Sequence, residues 1–398
     1  MRRILAGWLA MAAIALVPLA QAEGIKLLKE VHLFAGEYWT PVSLSHMPDQ
    51  SLLLAVDFVR RGKVIKLDAD SNPIWTHEIE QTVRKAAAQG GTVAAAVPGA
   101  DGKALVCATE HPENNNIKHD SKGRFILLDN AGHRLRDFQV DANSTPGFRL
   151  HKLDKCGRWG EGYFALGHGV TVHPDPSEPS AKELRYHAWL LHLTKDGELQ
   201  WQRTIELPIV YDEFSTPREM PGNALLLVTA GRQGLIGLTE VTLVSATGNI
   251  LKRKLLAAQQ RLVQSPQADG AIVFGDNGMM VTLNGALDVV SEDRAPNKLA
   301  WYKRVYLDGQ GRFTAFGFSI VPNGWQRMPV IARNSPGSND TALWFLPSRI
   351  QTALSAGPAI PLHQANEFAF AFQPGGSPPS WIPPNESKGV VVSRFRIE

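Results

Sequence analysis

A short unit recurs along this chain. A β-branched or aliphatic run ends in Leu-Asp or a similar pair, a turn with Gly, Asn or Asp follows, and a second apolar stretch comes after it. The clearest copies are Val64-Ile65-Lys66-Leu67-Asp68 with Trp75, Phe125-Ile126-Leu127-Leu128-Asp129 with Gly132, and Leu190-Leu191-His192-Leu193 with Gly197 and Trp201. Fainter ones are Val241-Thr242-Leu243 with Gly248 and Val281-Thr282-Leu283 with Gly285. Alternation on both sides of turn chemistry is a hairpin pattern. Ahead of each hairpin a turn rich in Pro, Gly and Asp precedes a strongly apolar strand: Met47-Pro48-Asp49 before Leu52, Pro98 to Gly102 before Ala104, Pro221-Gly222 before Ala224, Ala268 to Gly270 before Ala271, and Gly309 to Gly311 before Phe313. Four antiparallel strands in roughly 40 to 65 residues, repeated radially, make a β-propeller with one blade per repeat.

Counting gives a seven-bladed, all-β propeller of four-stranded antiparallel blades. Blade six takes Pro329 to Ala332 and Leu343-Trp344-Phe345, and blade seven takes Phe368 to Phe372 and Val390 to Val392. The chain stops at Glu398, which leaves blade seven one strand short, while Lys26 to Leu33 precedes blade one and matches no inner strand. That N-terminal segment is expected to complete the last blade, tying both ends into one sheet and removing an exposed edge. A β-sandwich pair or a two-domain β protein shares the same spacing of strands and turns. Helical periodicity is poor, and Glu80 to Ala88 is the one stretch with room for about two turns.

The first 22 residues read as a cleavable secretory signal: Arg2 and Arg3, an apolar run from Ile4 to Val17, then Pro18 and Ala20-Gln21-Ala22. A membrane anchor is the competing reading, but the run is shorter than the roughly 20 apolar residues that span a bilayer. The mature chain is expected to begin at Glu23, to form a single domain over 23–398 with no membrane span, and to sit as a monomer in the periplasm or outside the cell. In that oxidising setting Cys107 and Cys156 form one disulfide by default, with two free thiols as the alternative. The bridge would close a loop of about 50 residues, worth a few kcal/mol. The 41 basic and 38 acidic residues nearly cancel and show no basic stripe, so nucleic acid is excluded as a partner.

Gly162-Tyr163-Phe164-Ala165-Leu166-Gly167, followed by Ala188 to Trp201, resembles the exported bacterial propeller repeats of the quinoprotein-like group, as does the hairpin Lys66-Leu67-Asp68 with Trp75. In those repeats a Gly-aromatic-aliphatic strand leads into a Lys-Leu-Asp turn with a Gly and a following Trp; here Asn72 stands where the glycine is expected. The resemblance implies a propeller and an exported location. Its quinone-binding members use an adjacent-cysteine disulfide, a calcium ion, an Asp base and a tryptophan motif through most of eight blades. Cys107 and Cys156 lie far apart, and only blades one and three carry the tryptophan, so no quinone cofactor is expected.

Eight of the twelve histidines fall between His111 and His192, but their spacing matches no metal-ligand motif, and they read as dispersed polar residues with no metal site. No G-x-S-x-G elbow, H-E-x-x-H, P-loop or dinucleotide fingerprint is present. Asp68 and Asp129 sit at hairpin turns, where Asp bonds its own backbone. Two proline-rich insertions, Val170 to Arg185 and Pro374 to Lys388, read as loops that offer a partner surface, the second through Trp381. Aligning the innermost strands just before their turns brings His46, Lys152, Arg218, Ser265, Arg304 and His363 to similar places, so that all would line one mouth of the central channel and attract anions. The expected function is therefore binding or scaffolding of a protein or an extracellular polymer through rim loops, with no cofactor. The alternative is a hydrolase or lyase for an anionic substrate, using His46, Arg218 and His363.

Overall fold

The structure, a computed structural model, describes residues 24–58, 61–80, 93–111, 121–142, 145–174, 182–263, 270–275, 279–294, 302–320, 327–334, 341–346, 353–375 and 388–398. It is a ring of seven antiparallel blades. In chain order, after β1 (Ile25–Leu33), blade one holds β2 (Thr40–His46), β3 (Leu52–Phe58), β4 (Arg61–Leu67) and β5 (Pro73–Glu80). Blade two holds β6 (Val93–Pro98), β7 (Ala104–Glu110), β8 (Lys122–Leu128) and β9 (Arg134–Val140). Blade three holds β10 (Arg149–Trp159), β11 (Gly162–Pro174), β12 (Lys182–Leu193) and β13 (Leu199–Glu206).

In blade four the innermost strand is split into β14 (Val210–Phe214) and β15 (Arg218–Met220), both paired to β16 (Ala224–Gln233), with β17 (Ile236–Val244) and β18 (Ile250–Ala257) outside it. Blade five is β19 (Gln260–Val263), β20 (Ala271–Gly275), β21 (Met279–Leu283) and β22 (Val289–Arg294). Blade six is β23 (Tyr302–Leu307), β24 (Phe313–Ile320), β25 (Arg327–Asn334) and β26 (Thr341–Phe345). Blade seven is β27 (Ala353–Pro361), β28 (Glu367–Pro374) and β29 (Val390–Ile397), completed by β1, which pairs from Ile25↔Ile397 to Leu33↔Val390. The expected closure by the N-terminal strand is thus present.

Each blade is buried on both faces, and this explains the continuous apolar runs in the sequence, since successive side chains on a strand point to opposite sides. On β3, Leu52, Leu54 and Val56 pack toward blade seven, whereas Leu53 and Ala55 pack toward blade two. On β28, Phe368, Phe370 and Phe372 face blade six while Ala369 and Ala371 face blade one. Every boundary between neighbouring blades has its own apolar cluster. Cys107 on β7 and Cys156 on β10 are joined in a disulfide that staples blade two to blade three, with Cα atoms 6.4 Å apart.

The hairpin turns lock the blades together in a second way. Asp68 Oδ1 accepts the Asp70 and Asn72 amides, and Asp129 Oδ1 accepts those of Ala131 and His133, as their turn chemistry requires. The Trp75 indole on blade one donates to Asn130 O in the turn of blade two (2.9 Å), and Trp201 on blade three donates to Ala246 O in blade four (2.9 Å). A Cβ on Gly132 would sit 2.7 Å from the Trp75 ring, so the indole needs a glycine beneath it. The residue of blade one that corresponds to Gly132 is Ser71, with φ 65°, and not Asn72 as the sequence suggested. The turn runs from Asp68 to Asn72, so the left-handed position falls one residue earlier than the motif alignment placed it.

Two other expectations are corrected. Much of the blade-three insertion is not loop: β11 and β12 stay paired out to Pro174↔Lys182, as an extended hairpin. Glu80 is the last residue of β5, so the suggested helix does not start there, and the rest of that stretch lies outside the described residues. The suggested signal segment likewise lies outside them. Among the described residues no helix is long and apolar enough to cross a membrane.

Candidate functional site

The innermost strands β2, β10, β14, β19, β23 and β27 converge on a cavity of about 200 Å3 in the central channel. Several carry an early bulge, seen as register shifts between Pro41 and Ser43, Leu153 and Lys155, Tyr211 and Glu213, and Tyr302 and Arg304. A bulge re-aims the side chain beside it. The residues that follow three of these bulges, Lys155, Glu213 and Arg304, line the cavity, joined by Arg261, while at the bulge of β2 it is Pro41 and Val42 that line it.

Arg261 lies 3.3 Å from Glu213, and Arg304 donates from Nη1 to Thr216 Oγ1 at 2.6 Å. Lys155 has neither a hydrogen bond nor an ion pair with a described residue. Burial and the neighbouring Arg304 guanidinium push its ammonium down to about 8, which Glu213 and Asp154 offset only in part.

Behind Lys155, Asp154 accepts from His168 Nδ1 at 2.6 Å and pairs with Lys152 at 3.3 Å. Burial raises the Asp154 carboxyl, but the His168 hydrogen bond and the charges of Lys152 and Lys155 outweigh it and hold it below the usual range. The Tyr211 ring stacks on His168 at 4.1 Å, and burial with the adjacent Asp154 drives its phenol far above its ordinary value. His151 meets His168 edge-on at 5.3 Å, while His173 and His187 both reach Thr171 Oγ1 at 2.9 Å. Histidines expected to be dispersed therefore gather on blade three, because β10, β11 and β12 run side by side there. Among the described residues no three His, Cys, Asp or Glu side chains form a metal-holding group.

Of the six residues assigned to one mouth, the five that are described fall at different places. His46 ends β2, where its Nε2 donates to Pro361 O at 2.6 Å, and its ring lies 4.7 Å from that of His363. Burial pulls the His46 imidazole below its ordinary range, and His363 and Arg394 add to the fall against the Pro361 hydrogen bond. His363 is in the turn after β27. Arg218 is on β15 in blade four and donates to Gly270 O of blade five at 3.4 Å. Lys152 and Arg304 fall near the starts of β10 and β23 and not at their ends, and Ser265 lies outside the described residues. The alignment failed because the inner strands end differently: β10 closes in the two-residue turn Gly160-Glu161, β14 and β15 are split, and β2 and β23 end in longer turns. Among the five described, the two histidines come together.

The two faces of the ring also differ. On one, the outer hairpins of blades one to five turn through Asp68–Asn72, Asp129–His133, Thr194–Glu198, Ser245–Asn249 and Asn284–Asp288, five residues each. The connections on the other face vary from the two residues between β16 and β17 to 375–389 between β28 and β29, and Trp381 belongs to the latter, outside the described residues. From this face the hairpins of neighbouring blades three and four project with apolar residues in solvent: Val172 and Leu184 on one, and Leu235 and Ile236, 102% and 66% exposed, on the other.

Solved propellers superpose on the chain at low identity. The Cps50 (Swd1) β-propeller domain of Myceliophteria thermophila matches at 10% identity, covering 94% of this chain and 100% of that one, with a TM-score of 0.52. The Dos1 propeller matches at 10% identity over 94% and 95%, TM-score 0.52. BBS1N, solved in complex with ARL6DN, matches at 12% over 94% and 97%, TM-score 0.50. These establish the fold. No protein-family model and no curated protein matches the chain.

Proposed function

We propose that this chain is an exported, monomeric propeller that binds a protein or an extracellular polymer through its insertion-bearing face, in the periplasm or outside the cell. The observation that carries the reading is the apolar pair of hairpin tips on that face. A fully exposed Leu235 beside Ile236 adds nothing to the core, and apolar surface displayed at hairpin tips marks an interaction site. The solved complex of BBS1N with ARL6DN is an example of a propeller in a protein complex. Trp381, which lies in sequence between β28 and β29 and outside the described residues, is proposed to extend the contact.

The kinship inferred is with quinoprotein-like repeats, on the Trp75 and Trp201 seats in neighbouring turns. No quinone cofactor is proposed, a reading supported by Cys107 and Cys156 being joined between two blades and not as an adjacent pair. The hydrolase or lyase alternative relied on His46, Arg218 and His363 around one cavity, and Arg218 is held on the boundary of blades four and five.

A photo-crosslinking residue at Leu235, compared with one at Asp70 on the opposite face, tests the reading on the mature chain in the envelope of an exporting host. Adducts at position 235 that are absent at position 70 and lost when Ile236 becomes Asp support it. Equal labelling at both positions, or none, overturns it.

A further inference from the structure

We propose that the central channel is a binding site for a small oxyanion, a phosphate or a short dicarboxylate, held by Lys155, Arg304 and Arg261. This site is separate from the insertion-bearing face and stands or falls independently of it.

The cavity of about 200 Å3 has room for one such ion with a few waters. Three cations reach it from blades three, five and six, and among the described residues the only carboxylate lining it is Glu213. Glu213 is already engaged by Arg261 at 3.3 Å, and Asp154, behind the wall, by His168 and Lys152. Thr216 accepts from Arg304 Nη1, which orients that guanidinium while leaving its other N–H groups for a ligand.

Lys155 is the sharper observation. Lys155 is half-buried and lines the cavity, and an ammonium held there without a hydrogen-bond partner among the described residues is left for something else to complete. The cost of that charge is increased by Arg304 beside it. An oxyanion between the two would accept hydrogen bonds from both and turn mutual repulsion into shared attraction, the arrangement in which charge-assisted hydrogen bonds are strongest. The inner strands wall the cavity in part and leave it open to solvent on one side, so they reduce, without removing, the screening of the three cations.

The groups facing Lys155 are Lys152 and Asp154 on its own strand, Glu213 on β14, Arg261 on β19 and Arg304 on β23. The ligand-binding form is protonated, so affinity should be full near neutral pH and fall as pH rises through about 8. A bound anion would itself move that fall to higher pH.

The test is calorimetric titration of the mature chain with inorganic phosphate and, separately, with succinate at pH 7, with sodium chloride at equal ionic strength as the control. One-to-one binding of either anion, weakened at least tenfold by K155M and by R304Q and strengthened by E213Q, is expected. The wild type alone supplies a readout that survives misfolding of a variant: affinity falling between pH 7 and pH 9 without loss of structure. Binding of phosphate only assigns a phosphate group to the ligand, and binding of succinate only assigns a dicarboxylic acid; each supports the site. Millimolar anions that give no heat beyond chloride, a K155M protein that binds as the wild type does, or a pH-independent affinity overturns it.

Discussion

The boundary between blades two and three and that between blades five and six are built very differently. At the first, a cluster running from Ala95 and Leu105 through Phe125 to Tyr163, Trp189 and Leu193 packs around the Cys107–Cys156 bridge. At the second, the buried apolar residues among those described are Ala315 and Ala332, with Phe274 and Val305 partly buried beside them. A ring has no free end, so its cohesion is limited by its thinnest joint; among the described residues the boundary of blades five and six has the smallest buried apolar cluster. Where contact density is low, local opening costs least.

The largest effect should come from removing the staple. Cys107→Ala with Cys156→Ala is expected to lower stability by about 3 to 4 kcal/mol in denaturant unfolding. Amide exchange in the wild type should show blades five and six opening before blades two and three, and the double variant should narrow that gap. Equal exchange at both boundaries in the wild type would remove the contrast.

A smaller effect is expected at the seat between blades one and two. Gly132→Ala places a methyl against Trp75 at a left-handed backbone position, φ 84°, and should cost about 1 to 3 kcal/mol. Gly222→Ala, with a similar φ of 77° and nothing within reach of its Cβ, isolates the backbone part of that cost. If the two losses are the same, the indole seat contributes nothing beyond the turn.

The smallest change is a gain. Ser71 is fully buried in a left-handed conformation with its hydroxyl unpartnered. Ser71→Gly relieves the conformation and removes the orphaned oxygen, and should raise stability by about 1 kcal/mol. An unchanged midpoint would mean that the turn accommodates serine without strain.

The propeller was legible because its cause is local and periodic. Runs such as Leu52 to Val56 must be buried on two faces, and turns such as Asp129 to Gly132 repeat the same backbone chemistry. Trp75 and Trp201 were also visible as part of the hairpin motif, but the joint they make with the next blade and its equivalents elsewhere were not. Arg136 reaches toward Asp196 O at 3.5 Å and Lys252 bonds Asp288 Oδ1 at 2.9 Å, so a cation spans the neighbouring turn where the indole is missing. An expectation fixed on tryptophan passes over them.

The channel was legible only in kind. Basic groups at the inner strands were expected, and Arg304 was among them, but Lys155 and Arg261 were missed. Which side chain a strand turns inward depends on its bulges, and a bulge such as that at Asp154 shifts the register by one without leaving a mark in composition. Strand ends were no better guide, since β10 and β23 terminate in turns of different length. A signal was nevertheless present: a lysine within the otherwise half-apolar stretch Leu153-Asp154-Lys155-Cys156 has few reasons to be on a buried strand.

The pairing of β1 with β29 settles how the molecule would be held. Glu398 N bonds Gly24 O at 2.9 Å, so the first and last described residues leave the ring at one point. Because β29 runs toward the face of uniform turns, a tether at either end would emerge there. The opposite face, with Leu235 and Ile236 at its tips, would then be presented outward whichever terminus is fixed.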